Sequence, residues 1–293
     1  MSHADDHLAP DVTPFFDAET NTISYVVKDP GSSACAIVDS VLDLDYAAGR
    51  IATRSADAII AHVREHGLTV EWLIETHVHA DHLSAAPYLQ RALGGKIGIG
   101  ERITVVQHTF GKVFNEGTEW RRDGREFDHL FTDGEAYHVG TMPCVALHTP
   151  GHTPACMTHV MGEAAFVGDT LFMPDGGTAR ADFPGGDAAT LYRSIQRVLA
   201  LPPATRLFMC HDYGPNGREI RWETTVAAER AENIHLRDGV TEAAFVAMRE
   251  ARDATLGMPR LIIPSLQVNM HAGQLPPPGA DGKRFLKVPL DVL

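Results

Sequence analysis

Thr76-His77-Val78-His79-Ala80-Asp81-His82 places three histidines and an aspartate within six residues, His77 to His82. Imidazole nitrogens and carboxylate oxygens so closely spaced are the donor set of a metal ion of intermediate softness. The apolar, period-two run Leu68–Ile74 before the cluster predicts a buried strand. Ser84–Leu93 after it predicts a helix, stopped by Gly94-Gly95. The cluster therefore falls where a strand ends and the chain turns towards a helix. In an extended segment His77 and His79 point to one side, while Asp81 and His82, round the bend, aim at a neighbouring point. Such a set could surround one metal ion or two adjacent ones.

Other candidate ligands stand at the ends of other strand-like runs. Cys144–Leu147 ends at His148, followed by the rigid turn Thr149-Pro-Gly-His-Thr-Pro154. Ala164–Val167 ends at Gly168-Asp169, and Leu207–Met209 runs into Cys210-His211-Asp212-Tyr213. Strands that deliver ligands to one sheet edge build a single site from distant sequence, so His77, His148, Asp169 and His211 are expected together.

The elements that must position these residues follow in order. Residues 1–12 read as a flexible tail. Thr22–Lys28 and Ala34–Asp39 form a hairpin around Asp29-Pro30-Gly31, and Asp39 is either a turn former or a partner of the metal ligands. Ala56, Ile59, Ile60 and Val63 lie on one face of a helix that Gly67 stops. Lys96–Gly100 and Val105–His108 read as strands, and 109–135 as loop. Met157–Met161 pairs with Ala164–Val167 around Gly162. A glycine-rich loop, Asp175–Asp187, carries Arg180 ahead of a helix from Ala188 to Leu199. Residues 219–236 read as helical. Thr241 caps a helix to Leu256 with Phe245 and Met248 on one side, and Pro264–Ala272 reads as a short helix. Residues 13–236 form the main domain, and 237–293 an extension packed on it.

The chain has 293 residues, 44% of them hydrophobic and 22% charged, which permits a large core. Its formal charge of -13 argues against nucleic-acid or anionic-membrane surfaces. No apolar run approaches the roughly 20 residues that span a bilayer. The polar, acidic start is unlike a secretory or transit peptide. Cys35, Cys144, Cys156 and Cys210 are scattered without a C-x-x-C pair, which suits a reducing cytoplasm.

Taken together, Thr76–His82, Thr149–Pro154, Phe166-Val-Gly-Asp169 and Cys210–Tyr213 resemble the metallo-β-lactamase superfamily over about residues 20–235. The resemblance implies an α/β fold, an αββα sandwich with the metal site at one edge of its two sheets and a C-terminal extension. Two branches that act on glutathione conjugates are candidates. For a dizinc hydrolase of the glyoxalase II kind, acting on acyl-glutathione thioesters, the resemblance implies that His77, His79 and His148 hold one metal. Asp81, His82 and His211 then hold the other, and Asp169 bridges, an arrangement that activates water and clamps a carbonyl. For a persulfide dioxygenase it implies one Fe(II) per chain on His77, His148 and Asp169, with His79, Asp81, His82 and His211 orienting ligands and water, and no catalytic group beyond the metal.

The second branch is the better match. Glyoxalase II enzymes have a second histidine after the Gly-His-Thr turn, where this chain has Ala155-Cys156, and persulfide dioxygenases have a cysteine there. Arg180-Ala-Asp182-Phe183, His211-Asp212-Tyr213 and Pro264–Gly273 also resemble that branch. The implied reaction is oxidation of glutathione persulfide by O2 and water to sulfite and glutathione, in the context of sulfide detoxification or sulfur metabolism. Arg180, Tyr213 and Arg218 are the expected substrate-binding residues, on loops beside the ligands. No nucleic-acid or membrane partner is implied, and a homodimer is compatible with the sequence.

Overall fold

In the computed structural model, which describes residues 9–292, the chain opens with the strands β1 (Asp11–Asp17), β2 (Thr22–Lys28) and β3 (Ala34–Val38). β2 and β3 are the expected hairpin. β1 corrects the expected tail: residues 1–8 lie outside the described residues, but Asp11 and Val12 already pair with Lys28 and Val27. It is a half-exposed edge strand containing Pro14, so it lacks the strong alternation that marks a strand in sequence. A short ribbon, β4 (Val41–Asp45) and β5 (Arg50–Ala52), leads into α1 (Arg54–Glu65). Its buried residues are Ala56, Ile59, Ile60 and Val63, the face read from their spacing.

β6 (Thr69–Ile74), the strand ahead of the histidine cluster, runs parallel to β3. β7 (Leu83–Ser84), α2 (Ala86–Leu93) and β8 (Lys96–Gly100) follow. Val105–His108 is not a strand but part of α3 (Ile103–Val113), whose buried Ile103, Val106 and Phe110 repeat at helical spacing. A four-residue apolar window cannot separate the two periods. Residues 109–135 accordingly begin in α3 and include β9 (His129–Phe131).

The second half supplies β10 (Glu135–Val139), β11 (Met142–His148), β12 (Met157–Met161), β13 (Ala164–Phe166), α4 (Ala188–Leu199), β14 (Arg206–Phe208) and β15 (Glu223–Thr225). It ends with α5 (Val226–Glu232), α6 (Glu242–Asp253) and α7 (Ile262–Asn269). Within 219–236, expected to be helical, only α5 is helix. Thr241 caps α6 as read from the sequence, accepting from Ala244 N.

The strands form two six-stranded sheets, ordered β1-β2-β3-β6-β8-β9 and β10-β11-β12-β13-β14-β15. Their facing sides bury Ile23, Tyr25, Val27 and Val38 from one sheet against Met157, Phe166 and Phe208 from the other. The alternate residues Val26, Cys35 and Ile37 point outwards, beneath α1, α2, α3 and α7. On the far side, Ala165 and Leu207 meet Leu191 and Ile195 of α4 and Phe245 of α6. This is a four-layer αββα sandwich. With both faces covered, β2 is buried at every position except Lys28. Ile23 N donates to Cys210 O at 2.7 Å, and the Tyr25 hydroxyl donates to Met209 O, so the two sheets are joined where β2 meets the end of β14. Among the described residues no helix is long and apolar enough to cross a membrane. All four cysteines are buried and free.

One buried carboxyl has a measurable signature. Glu229 of α5 is fully buried; its Oε2 accepts from Asn233 Nδ2, and its Oε1 has no hydrogen-bond partner. Burial pushes its carboxyl up to about 8, against 4.5 ordinarily. Between those values the unfolded chain releases the proton that the native chain keeps, so this residue's contribution falls as pH rises from about 4.5 to about 8. Each pH unit of displacement corresponds to about 1.4 kcal/mol. A Glu229→Gln chain is expected to be more stable than the parent by at least about 1 kcal/mol at pH 8, with the difference shrinking by pH 5. Urea midpoints at both pH values check this, and an unchanged difference would contradict it.

Candidate metal centre

β6 ends at Ile74, and Glu75 to His82 fold into a buried loop across the sheet edge. Asp39, in the turn after β3, organises it. Its backbone is left-handed at φ +52°, a conformation aspartate tolerates better than most residues. Its carboxylate accepts from Thr76 N at 2.7 Å, Thr76 Oγ1 at 2.8 Å and His79 Nε2 at 2.9 Å. The alternative left open for Asp39 thus resolves towards a partner of the histidine cluster.

The other histidines are held in the same manner, each by one ring nitrogen. His152 Nδ1 donates to Arg180 O at 2.8 Å, His211 Nδ1 to Asn21 O at 3.2 Å, and His82 Nδ1 lies 3.3 Å from Thr22 Oγ1. The opposite nitrogens, His77 Nε2, His79 Nδ1, His82 Nε2 and His211 Nε2, are buried without hydrogen-bond partners, as are Asp81 Oδ2 and Asp169 Oδ1. Leaving six buried polar atoms unpaired would be costly. A cation among them removes that cost, and anchoring the far side of each imidazole is how metal-binding histidines are oriented. Burial and the imidazoles of His79 and His152 push His77 well below the ordinary histidine range, towards the neutral form that binds metal. The residues therefore fit a metal centre.

Among the described residues, candidate ligand atoms within 4.8 Å of one another include two groups side by side, His77, His152 and Asp169, and His79, Asp81, His82 and His211, while Cys210 lies within the same reach of Asp39 and His79 and of Asp169 and His211. Asp169 stands between the groups, 3.6 Å from His152 Nε2 and 3.4 Å from His211 Nε2. Gly168 allows this placement. Its φ is +50°, and a side chain there would put a Cβ 2.5 Å from Thr76 Oγ1.

The expected ligand His148 is corrected to His152. β11 ends at His148, whose Nε2 donates to Pro154 O at 2.8 Å while its backbone N donates to Asp133. The Thr149–Pro154 turn then carries His152 back to His77. Gly151, at φ +135°, lies so close to the Leu191 backbone that a Cβ would collide with it. Cys156 closes the turn, its Sγ receiving Thr153 N, and burial pushes its thiol up to about 12, so it stays protonated. The sequence contained His152 within a quoted motif; its place inside the turn, not at the strand end, was the missed signal.

A cavity of about 420 Å³ opens over Asp81, His152 and Asp169. Arg180 and Tyr213 line it, as does the segment Leu256–Leu261 with the exception of Met258. Arg218 does not: its guanidinium is clamped between Asp175 and Asp212.

The C-terminal helix braces the centre in a way the sequence did not reveal. Asn269 of α7 donates to His79 O at 2.8 Å and His82 O at 2.7 Å, and accepts from Ser84 N at 2.8 Å.

Residues 19–211 match the metallo-beta-lactamase superfamily. The chain is 60% identical to a probable metallo-hydrolase of Burkholderia pseudomallei, over 96% of this chain and 99% of the relative. It is 45% identical to glyoxylase B2 of Dictyostelium discoideum, over 95% and 96% of the two chains. It is 29% identical to persulfide dioxygenase ETHE1 of Bos taurus, over 90% and 89%. The crystal structure of ETHE1 from Myxococcus xanthus superposes with a TM-score of 0.71 at 26% identity, over 90% of this chain and all of that one.

Proposed function

Since the chain belongs to the metallo-beta-lactamase superfamily, we propose that it is an iron-dependent persulfide dioxygenase, converting glutathione persulfide, O2 and water to glutathione and sulfite. The observation that carries this reading is the buried group His77, His152 and Asp169 beneath the cavity. Two imidazoles and one carboxylate are the donor set of non-haem iron oxygenases, and they leave positions for other reactants. A ferrous ion held there supplies the one-electron chemistry that lets O2 react with a closed-shell sulfur. The likeness to persulfide dioxygenase ETHE1, spanning nearly both chains, supports the same reading.

The balance is simple: the two sulfurs together lose four electrons, O2 takes them up, and water supplies the third sulfite oxygen. The chain's contribution is placement. His152 is kept in one tautomer by the Arg180 carbonyl, His211 by Asn21 O, and the cavity walls hold the persulfide end against the ligand group. Tyr213, its ring stacked on His211, lines the cavity.

A second reading has its own support. His79, Asp81, His82 and His211 complete a second ligand group, which suits a dizinc hydrolase of glutathione thioesters. The likenesses to a probable metallo-hydrolase and to glyoxylase B2 point the same way. One experiment separates the two. An anaerobically purified chain is expected to carry about one iron and to consume O2 with glutathione persulfide while forming sulfite. Hydrolysis of S-lactoylglutathione by a chain holding two zincs, with no O2 uptake, would replace the dioxygenase by the hydrolase.

A further inference from the structure

We infer that Arg252 and Arg260, the latter together with Glu19, are the residues that select a glutathione-bearing substrate, and that Arg180 is not. This rests on the reading of the site as one for glutathione conjugates. In a chain of net charge -13, four arginines line a single cavity: Arg180, Arg249, Arg252 and Arg260. What each already holds separates them.

Arg249 is buried; its Nε and Nη2 engage Asp253, and its Nη1 donates to Thr178 O. Arg180 donates through Nε and Nη2 to both oxygens of Asp182 and through Nη1 to Gly257 O. Both guanidiniums are neutralised by a carboxylate at hydrogen-bond distance, so they shape the wall and have little charge left for a ligand. The pair Arg249–Asp253 also ties the wall together, since Asp253 accepts from Ala181 N.

Arg252 has no side-chain hydrogen bond or ion pair among the described residues. Among the described residues Arg260 makes one ion pair, to Glu19 at 4.0 Å, with both side chains more than half exposed. A salt bridge so long and so solvated holds neither group. These two arginines are therefore the cations of the cavity that a carboxylate can engage.

Their surroundings match two different carboxylates. Glutathione ends in an α-amino acid group, an ammonium beside a carboxylate, and at its other end in a lone carboxylate. Arg260 and Glu19 present opposite charges side by side, which is what the zwitterionic end requires. Arg252, without an acidic neighbour bonded to it, suits the lone carboxylate. Placing the cations at the rim, on the α6 terminus and the segment after it, leaves the ligand group below free for the sulfur.

The test uses the metal-loaded full chain and titration calorimetry with two probes: S-methylglutathione and its diethyl ester, which lacks both carboxylates. Arg252→Glu and Arg260→Glu are each expected to weaken S-methylglutathione binding about tenfold or more, roughly 1.4 kcal/mol. Affinity for the diester should be weak in the parent and change far less. Arg252→Lys should recover part of the loss. Equal S-methylglutathione affinity in parent and charge-reversed chains overturns the inference, as does a parent that binds the diester as tightly as the acid. Oxygen uptake with glutathione persulfide is recorded on the same preparations. Charge-dependent binding without uptake keeps the rim and removes the dioxygenase.

Discussion

A His152→Ala chain is expected to fold, to lose its metal and to be inactive, whereas His148→Ala keeps both metal and activity. His152 Nε2 faces Asp169 within one ligand group, and the ring is already oriented through Nδ1. Removing an outer hydrogen bond from a metal site costs 10–100-fold in affinity, so removing a ligand should cost more than about 100-fold. His148 gives up only its bond to Pro154 O, worth about 1 kcal/mol of turn stability. Elemental analysis and thermal melts of the two variants decide between them. A metal-replete His152→Ala chain, or a folded but metal-free His148→Ala chain, would restore the strand-end histidine as the ligand.

The second large effect belongs to Asp39. Replacing it with alanine strands Thr76 N, leaves Thr76 Oγ1 with His77 Nδ1 alone and His79 Nε2 with Glu75 alone, and places alanine at φ +52°. Breaking a buried charged pair by removing one partner costs about 3–5 kcal/mol, and the backbone adds about 1–2 kcal/mol. Asp39→Asn retains an acceptor oxygen and tolerates the left-handed backbone, so it should lose clearly less than the alanine chain. Urea unfolding of the two would falsify this role for Asp39 if both lost the same small amount.

The cluster His77–His82 was legible because ligand residues at that spacing have no competing structural cause. Strands covered on both faces were legible because they are rich in apolar and β-branched residues, as Thr22–Lys28 is. The buried face of α1 was legible residue by residue, since four apolar positions at helical spacing suffice, but its start at Arg54 and the ribbon β4–β5 before it were not. What failed shares a different trait. β1 takes its identity from pairing along β2, and a half-exposed edge strand with a proline has little pattern of its own. α3 was misread because a four-residue apolar window fits either period. His148 was preferred to His152 because a strand end predicts position but not the path of the turn that follows. Arg218 and Arg180 were identified as basic residues on the right loops; that Asp175, Asp212 and Asp182 already hold them is a fact of three-dimensional proximity. Asp39 illustrates the intermediate case, visible as a turn residue but identifiable as a ligand partner only through contacts 37 and 40 positions away.

The Asn269 brace has a temporal consequence. It joins the backbone at His79 and His82 to a residue nearly 190 positions later. On the ribosome, all the histidine and aspartate ligands emerge well before it, within a chain whose ligand loop still lacks its clamp. Contacts of such long sequence separation form late, because their loop-closure entropy must first be overcome. The expected consequence is that the ligands are made before the geometry that discriminates among metals is complete, so that selection of an ion falls to the stage at which α7 docks. A chain refolded with metal added before or after that step should differ in metal content, even though the finished structure is the same.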